Sequence, residues 1–179
     1  MPKIFLSYRR DDSEFAANDL YKRLGEHYGK SSVFLDVDVI PPGVDFRRHL
    51  AKVVAQCDVV LALIGKHWLD TRDDKGDRRL DNLNDFVRIE LNVALRLCLP
   101  VVPVLLGRSK MPREHELPED LRPLAYRNAV EVHSGRDFDM HVGRLIKGID
   151  DLFRQNGESA INLAQIKQAP GDITRQHGS

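Results

Sequence analysis

Short runs of aliphatic and β-branched residues alternate along the chain with longer stretches of helical period, and this alternation predicts the architecture. Lys3 to Tyr8 reads as a first strand. A helix from Asp11 to Tyr28 follows, with Phe15, Leu20, Leu24 and Tyr28 near helical spacing and Asp11, Asp12 or Ser13 as its cap. Ser32 to Asp36 is a second strand. The Pro41-Pro42-Gly43 break then opens a loop before a helix from about Asp45 to Gln56, with Phe46, Leu50, Val53 and Val54 on one side. Asp58 to Gly65 is nearly continuous in apolar residues, the pattern of a strand buried on both faces of a parallel sheet.

Asp70 to Arg79 is dense in charge and reads as a solvated loop with no core to assign. Leu83 to Leu97 predicts a helix that is apolar nearly all round, and Pro100 to Leu106 a fourth strand. A Pro-rich connection from Met111 to Pro123 leads to a short edge strand at Asn128 to Val132. The last helix runs from about Phe138 to Phe153 with Val142, Leu145, Ile149 and Leu152 as its buried stripe. The pattern is that of an α/β protein, a doubly wound five-stranded parallel sheet flanked by helices. Such sheets bind ligands beyond the carboxyl ends of their strands. Residues 1–154 are expected to form the domain and 155–179 a polar tail, or a linker to a further sensor or effector domain.

Composition narrows the function classes. The chain has 179 residues, one-domain length, and 27 Lys plus Arg balance 27 Asp plus Glu. No positive excess is available to attract nucleic acid or an anionic membrane surface. The N-terminus has no signal-peptide core and no apolar run approaches a membrane span, so a cytoplasmic protein is expected. Cys57 and Cys98, each in an apolar context, are expected to be packed thiols in a reducing compartment.

The motifs that are missing exclude several chemistries. No G-x-G-x-x-G follows the first strand and no G-x-x-x-x-G-K-S/T occurs, which removes ordinary dinucleotide-binding dehydrogenases and P-loop nucleotidases. There is no H-E-x-x-H, C-x-x-C or G-x-S-x-G, and the seven histidines are scattered, so neither a metal site nor a prosthetic group is expected. The third strand ends in Leu63-Ile64-Gly65, without the carboxylate a phosphoacceptor receiver domain requires.

Three segments in order carry a family resemblance. Ile4-Phe5-Leu6-Ser7-Tyr8-Arg9-Arg10 resembles box 1 of TIR (Toll/interleukin-1 receptor) domains. Val33 to Gly43, reading VFLDVDVIPPG, resembles their second strand and BB loop. Asp85-Phe86-Val87-Arg88-Ile89-Glu90-Leu91 is similar to the helical segment of bacterial and axon-degeneration TIR enzymes in which an aromatic stands four residues before a catalytic Glu. The resemblance spans residues 3 to about 153 and implies a flavodoxin-like TIR fold. It also implies cleavage of NAD+ at the nicotinamide-ribose bond, giving nicotinamide with ADP-ribose or a cyclic isomer. By family analogy the setting is bacterial antiphage signalling, activated by self-association with other TIR domains through the BB loop.

The residues suit that chemistry. Phe86 and Glu90 are one helical turn apart and project alike, placing an apolar ring beside a carboxylate. Nicotinamide leaves NAD+ as a neutral base, so no general acid is needed and one carboxylate suffices to hold ribose hydroxyls and stabilise oxocarbenium charge. The resemblance implies Glu90 as the catalytic residue, and Tyr8, Arg9, Arg10, Asp36, Asp38, Phe46 and Phe86 as residues that contact NAD+ as substrate. Ordinary roles stand beside these. Glu90 can salt-bridge a neighbour, Arg9 and Arg10 can pair with Asp11 and Asp12, Asp36 and Asp38 can be turn residues, and Phe46 can be the first core residue of its helix. Trp68 reads as a structural lid on the core. Phe86 stands where many active members carry Trp, and the two prolines before Gly43 stiffen the loop. Two other functions remain open: a non-catalytic scaffold that recruits TIR domains, and a nucleoside deoxyribosyltransferase-like enzyme.

Overall fold

The computed structural model describes residues 1–35 and 40–168, with side chains described through Gly157. Five parallel strands form one sheet: β1 (Ile4–Ser7), β2 (Val33–Leu35), β3 (Val59–Ile64), β4 (Val101–Leu106) and β5 (Val130–Val132). Their order is β2-β1-β3-β4-β5, so the chain reverses its direction of winding between β1 and β3. The doubly wound α/β sheet expected from the alternation is therefore present. Asp36 and Asp38 lie outside the described residues, as does the segment 169–179.

The two faces of the sheet divide by the two-residue period of the strands. Ile4 and Leu6 of β1, with Val59, Leu61 and Leu63 of β3, pack against α1 (Arg10–Tyr28) and α4 (Phe138–Gln168). Phe5 of β1 and Val60, Ala62 and Ile64 of β3 face α2 (Phe46–Ala55) and α3 (Phe86–Arg96). Ser7 is two residues beyond Phe5, so it is aimed at the α3 side. That one parity decides which helix the end of β1 meets.

Several expectations change. Helix α1 begins at Arg10, and its N-cap, Arg9, makes no side-chain capping bond; Asp11 and Asp12 lie in the first turn, where they complement the helix dipole. Its buried stripe is Ser13, Ala17, Leu20, Leu24 and Tyr28, and Phe15, expected among them, is 88% exposed. Two residues from both Ser13 and Ala17, Phe15 is turned about 200° away from the stripe. Helix α3 starts at Phe86 rather than Leu83, capped by the Asp85 carboxylate, which accepts from Arg88 N at 3.1 Å. Helix α4 continues well past Phe153, so residues 155–168, expected as tail, extend it. The Asp70–Arg79 loop is largely exposed as expected, but it is ordered around Asp73, whose Oδ1 accepts from the backbone N–H of Lys75 and Asp77.

Cys57 is buried, and burial pushes its thiol up to about 11. Cys98, also expected to be packed, is exposed. It follows α3 in a Schellman turn: Leu99 N bonds Ala94 O at 3.0 Å, Cys98 N bonds Leu95 O at 3.1 Å, and Cys98 takes φ 56°. This left-handed position projects its side chain out of the core. Trp68 is fully buried, as expected.

Candidate active site

The buried stripe of α3 is Val87, Glu90, Leu91 and Ala94, an i, i+3, i+4, i+7 pattern with a carboxylate in its middle. Glu90 is only 4% exposed, so its charge requires hydrogen-bonding partners. Ser7, turned to this face by the parity of β1, supplies one: its Oγ donates to Glu90 Oε2 at 2.6 Å. Short distance and burial mark a charge-assisted bond.

One turn earlier, Asp85 is 6% exposed and takes the guanidinium of Arg9 in a two-pronged pair at 2.9 and 3.0 Å. Arg9 Nε donates to Trp68 O at 3.0 Å. Arg9 is thus paired neither with Asp11 nor with Asp12; it ties β1 to α3 and to the turn after β3. Arg79 approaches Asp85 at 3.7 Å and Asp11 at 3.3 Å while remaining 40% exposed on its side chain.

These groups surround a cleft of about 310 Å³ at the carboxyl end of β1. Tyr8, Arg10 and Arg79 line it, Glu90 is at its inner end and Phe86 at its rim. Phe86 is 42% exposed, and the ring of Phe46 packs on it with centroids 4.9 Å apart. Phe46 is therefore half-buried against another aromatic, not the first core residue of α2. The structure brings Tyr8, Arg9, Arg10, Phe86 and Glu90 together around one cleft and sets Phe46 against its rim. Ser7, Asp85 and Arg79 are additions. Ser7 is legible from strand parity, but Asp85 falls inside the helix expected from Leu83, and nothing local in the 70–79 charge run marks Arg79.

Beyond this rim, the loop before α2 turns tightly at 41–44. Val44 N bonds Pro41 O at 3.2 Å and Gly43 has φ 82°, a type II turn with Pro42 and Gly43 at its centre. The turn is exposed and presents Val44, 45% exposed.

Among the described residues, no helix is long and apolar enough to cross a membrane. The sequence profile of the TIR domain family matches residues 4–146. No curated protein matches the chain. Among solved structures, the TIR domains of the activated Roq1 resistosome directly recognizing the pathogen effector XopQ superpose with a TM-score of 0.61 at 15% identity, covering 83% of this chain and 99% of that one. A conserved protein from Enterococcus faecalis V583 gives a TM-score of 0.45 at 15% identity, covering 80% and 98% of the two chains.

Proposed function

Because the chain belongs to the TIR domain family, we propose that it cleaves NAD+ at the nicotinamide-ribose bond, with Glu90 as the catalytic residue. The observation that carries this reading is a buried carboxylate, held by Ser7, at the inner end of a cleft whose rim is aromatic. A ribosyl cation needs a fixed negative charge beside it, which a hydrogen-bonded carboxylate bordering a cleft supplies.

In this mechanism the nicotinamide ring packs against Phe86, with Phe46 behind it. The ribose hydroxyls meet Glu90, and Arg10 and Arg79 take the pyrophosphate oxygens. Arg79 suits this role because its two carboxylate contacts, at 3.3 and 3.7 Å, are loose and half in solvent. Arg9 is fully engaged by Asp85 and acts by holding the helix that carries Glu90. The C–N bond breaks with its electron pair going to the pyridinium nitrogen, releasing neutral nicotinamide. Glu90 stabilises the oxocarbenium ion until water adds and gives up its proton, yielding ADP-ribose, or until a nitrogen of the adenine adds, closing a cyclic isomer. No general acid is required.

We assign other TIR domains as partners, with the exposed Pro41–Val44 turn as the contacting element. Its apolar tip and fixed type II geometry support an ordered docking segment. An antiphage setting by NAD+ depletion or a cyclic signal fits this pairing of catalysis with self-association.

Concentrated protein incubated with NAD+ is expected to release nicotinamide. Glu90→Gln keeps the volume and removes the charge, and should lower turnover by about 10²–10³-fold, the usual loss for a group that stabilises transition-state charge. Intact NAD+ at high protein concentration would sink the enzyme reading; equal turnover in the variant would sink the role of Glu90 alone. The near-complete burial of Glu90 favours a second reading, a TIR interaction scaffold in which Glu90 only braces Ser7. That reading predicts self-association without product.

A further inference from the structure

A second cleft opens at the same edge of the sheet, beyond the carboxyl ends of β3 and β4. Its volume is about 430 Å³, within the roughly 300–1,000 Å³ typical of small-molecule sites. Its lining divides into two chemistries. Lys66, Lys110 and Arg113 present exposed cationic side chains, and none of the three forms an ion pair among the described residues. Leu69 and Met111, each half-buried, supply an apolar wall.

Several arginines elsewhere are paired: Arg9 with Asp85, Arg78 with Asp81, Arg88 with Asp120, Arg23 with Asp139. The one carboxylate lining the second cleft, Glu116, accepts from the backbone N–H of Arg113 at 2.8 Å, so it is bound to the chain and not to any of the three cations. Three cations lining one concavity against a single carboxylate leave it net positive, and their mutual repulsion is relieved when an anion binds among them. Leu69 and Met111 pack on the core with one side and leave the other toward the cleft, an apolar wall that a bare inorganic anion would not cover. A thioether against a flat ring is a favourable contact, and Met adapts to the ring it meets.

We propose that this cleft is a binding site for a nucleoside phosphate, with Lys66, Lys110 and Arg113 on the phosphates and Leu69 and Met111 against the base. It shares none of its lining with the Glu90 cleft, and does not rest on NAD+ cleavage. One turn nevertheless connects the two clefts. The turn that carries Lys66 and Leu69 also carries His67, whose N–H donates to Asp12 Oδ1 at 2.9 Å, and Trp68, whose carbonyl accepts from Arg9.

Calorimetric titration of the full chain with ADP tests the site, with adenosine and inorganic pyrophosphate as the two half-ligands. ADP is expected to bind, and each half-ligand to bind at least about tenfold more weakly, since each forgoes one of the two chemistries. Lys66→Glu with Lys110→Glu should raise the ADP Kd by about tenfold or more. Both positions are exposed, and circular dichroism establishes that the variant folds. Lys66→Arg with Lys110→Arg should retain binding, and Arg79→Ala, which alters the lining of the Glu90 cleft and not of this one, should bind ADP as the parent does. The proposal is overturned if ADP does not bind at millimolar concentration, if the charge reversal leaves its Kd unchanged, if Arg79→Ala weakens it as much as the reversal does, or if pyrophosphate binds as tightly as ADP.

Discussion

Strands β1 and β3 run side by side and leave the sheet at the same edge, yet their ends treat charge in opposite ways. Past β1, Ser7 and Arg9 turn inward and are consumed by Glu90 and Asp85 of α3, each at hydrogen-bonding distance and each nearly excluded from solvent. Past β3, Lys66 turns outward with no ion-pair partner among the described residues, while the backbone of the same turn is used to hold Asp12 and Arg9. The first end is a rigid frame in which a buried charge keeps its geometry. The second is an exposed field that has affinity but little preorganisation. Catalysis needs the first property, since stabilising a transition state requires charges that do not have to reorient. Capture of a diffusing anion needs only the second.

The largest test of this contrast is to remove one charge from each end. Asp85→Ala leaves the Arg9 guanidinium buried without its partner and removes the cap of α3, so a loss of about 3–5 kcal/mol in urea denaturation is expected. Lys66→Ala should change stability by no more than about 0.5 kcal/mol. The double replacement Arg9→Met with Asp85→Leu should recover part of the loss, because no buried charge is then left over. Similar small effects at both ends would erase the distinction.

A finer test asks whether the frame holds Glu90 or merely surrounds it. Ser7→Ala deletes one hydroxyl and leaves the carboxylate without that donor, at a cost of about 1.5–3 kcal/mol for a buried bond to a charged group. If Ser7 positions Glu90 for turnover, kcat falls while KM for NAD+ changes little, and Ser7→Thr restores part of kcat. A variant that loses stability but keeps kcat would reduce Ser7 to a structural role.

The two ends are also pinned together, and one glycine records it. A Cβ on Gly65 would overlap the Asp12 carboxylate and come within 2.5 Å of Ser13 Oγ. Gly65→Ala should therefore cost about 1–3 kcal/mol by displacing the Asp12 carboxylate that accepts from the His67 N–H. Gly143, in the second turn of α4 with nothing within 4 Å of a built Cβ, is the control: Gly143→Ala should stabilise by about 0.5–1 kcal/mol through helix propensity. Thermal denaturation of the two variants should shift in opposite directions, and a shift of the same sign would remove the argument for close approach at Gly65.

How much of this could be read from residue order follows the range of the forces involved. Strand and helix existence is a matter of local period, so Val59 to Ile64 and the α2 stripe were legible. Glu90 was legible because it interrupts an apolar stripe in a segment resembling a known one. The end of β2 shows the opposite case, since Asp36 and Asp38 lie outside the described residues and their expected contacts with NAD+ stay a proposal. Arg9 to Asp85 spans 76 residues and Arg79 to Asp11 spans 68, and no local pattern encodes which of many opposite charges will meet. Phe15 was misplaced because an aromatic near helical spacing looks like core until the small residues Ser13 and Ala17 are seen to define the face. Small residues carry little hydrophobic signal, yet they are what allow α1 to lie against the sheet.

The smallest effect concerns the opposite rim of the sheet, where a thiol is misplaced in the same sense as Phe15. Cys57 and Cys98 sit in similar apolar runs, but one closes α2 inside the core and the other occupies the left-handed position after α3. A non-glycine residue there carries a steric cost of about 1–2 kcal/mol. Cys98→Gly should recover much of it, less the extra entropy glycine brings to the unfolded chain, for a net gain of about 1 kcal/mol by urea denaturation. Thiol labelling separates the pair in the native protein. At pH 8, Cys98 should react with a disulfide reagent and Cys57 should react only on unfolding, since burial holds its thiol protonated up to about pH 11. The sign of the linkage follows: a folded-state value raised above 9.0 gives Cys57 its full contribution to stability below about pH 9, and that contribution falls away as the pH rises through about 11. Native labelling of both thiols at equal rates would place Cys57 outside the core and break the contrast between the two helix ends.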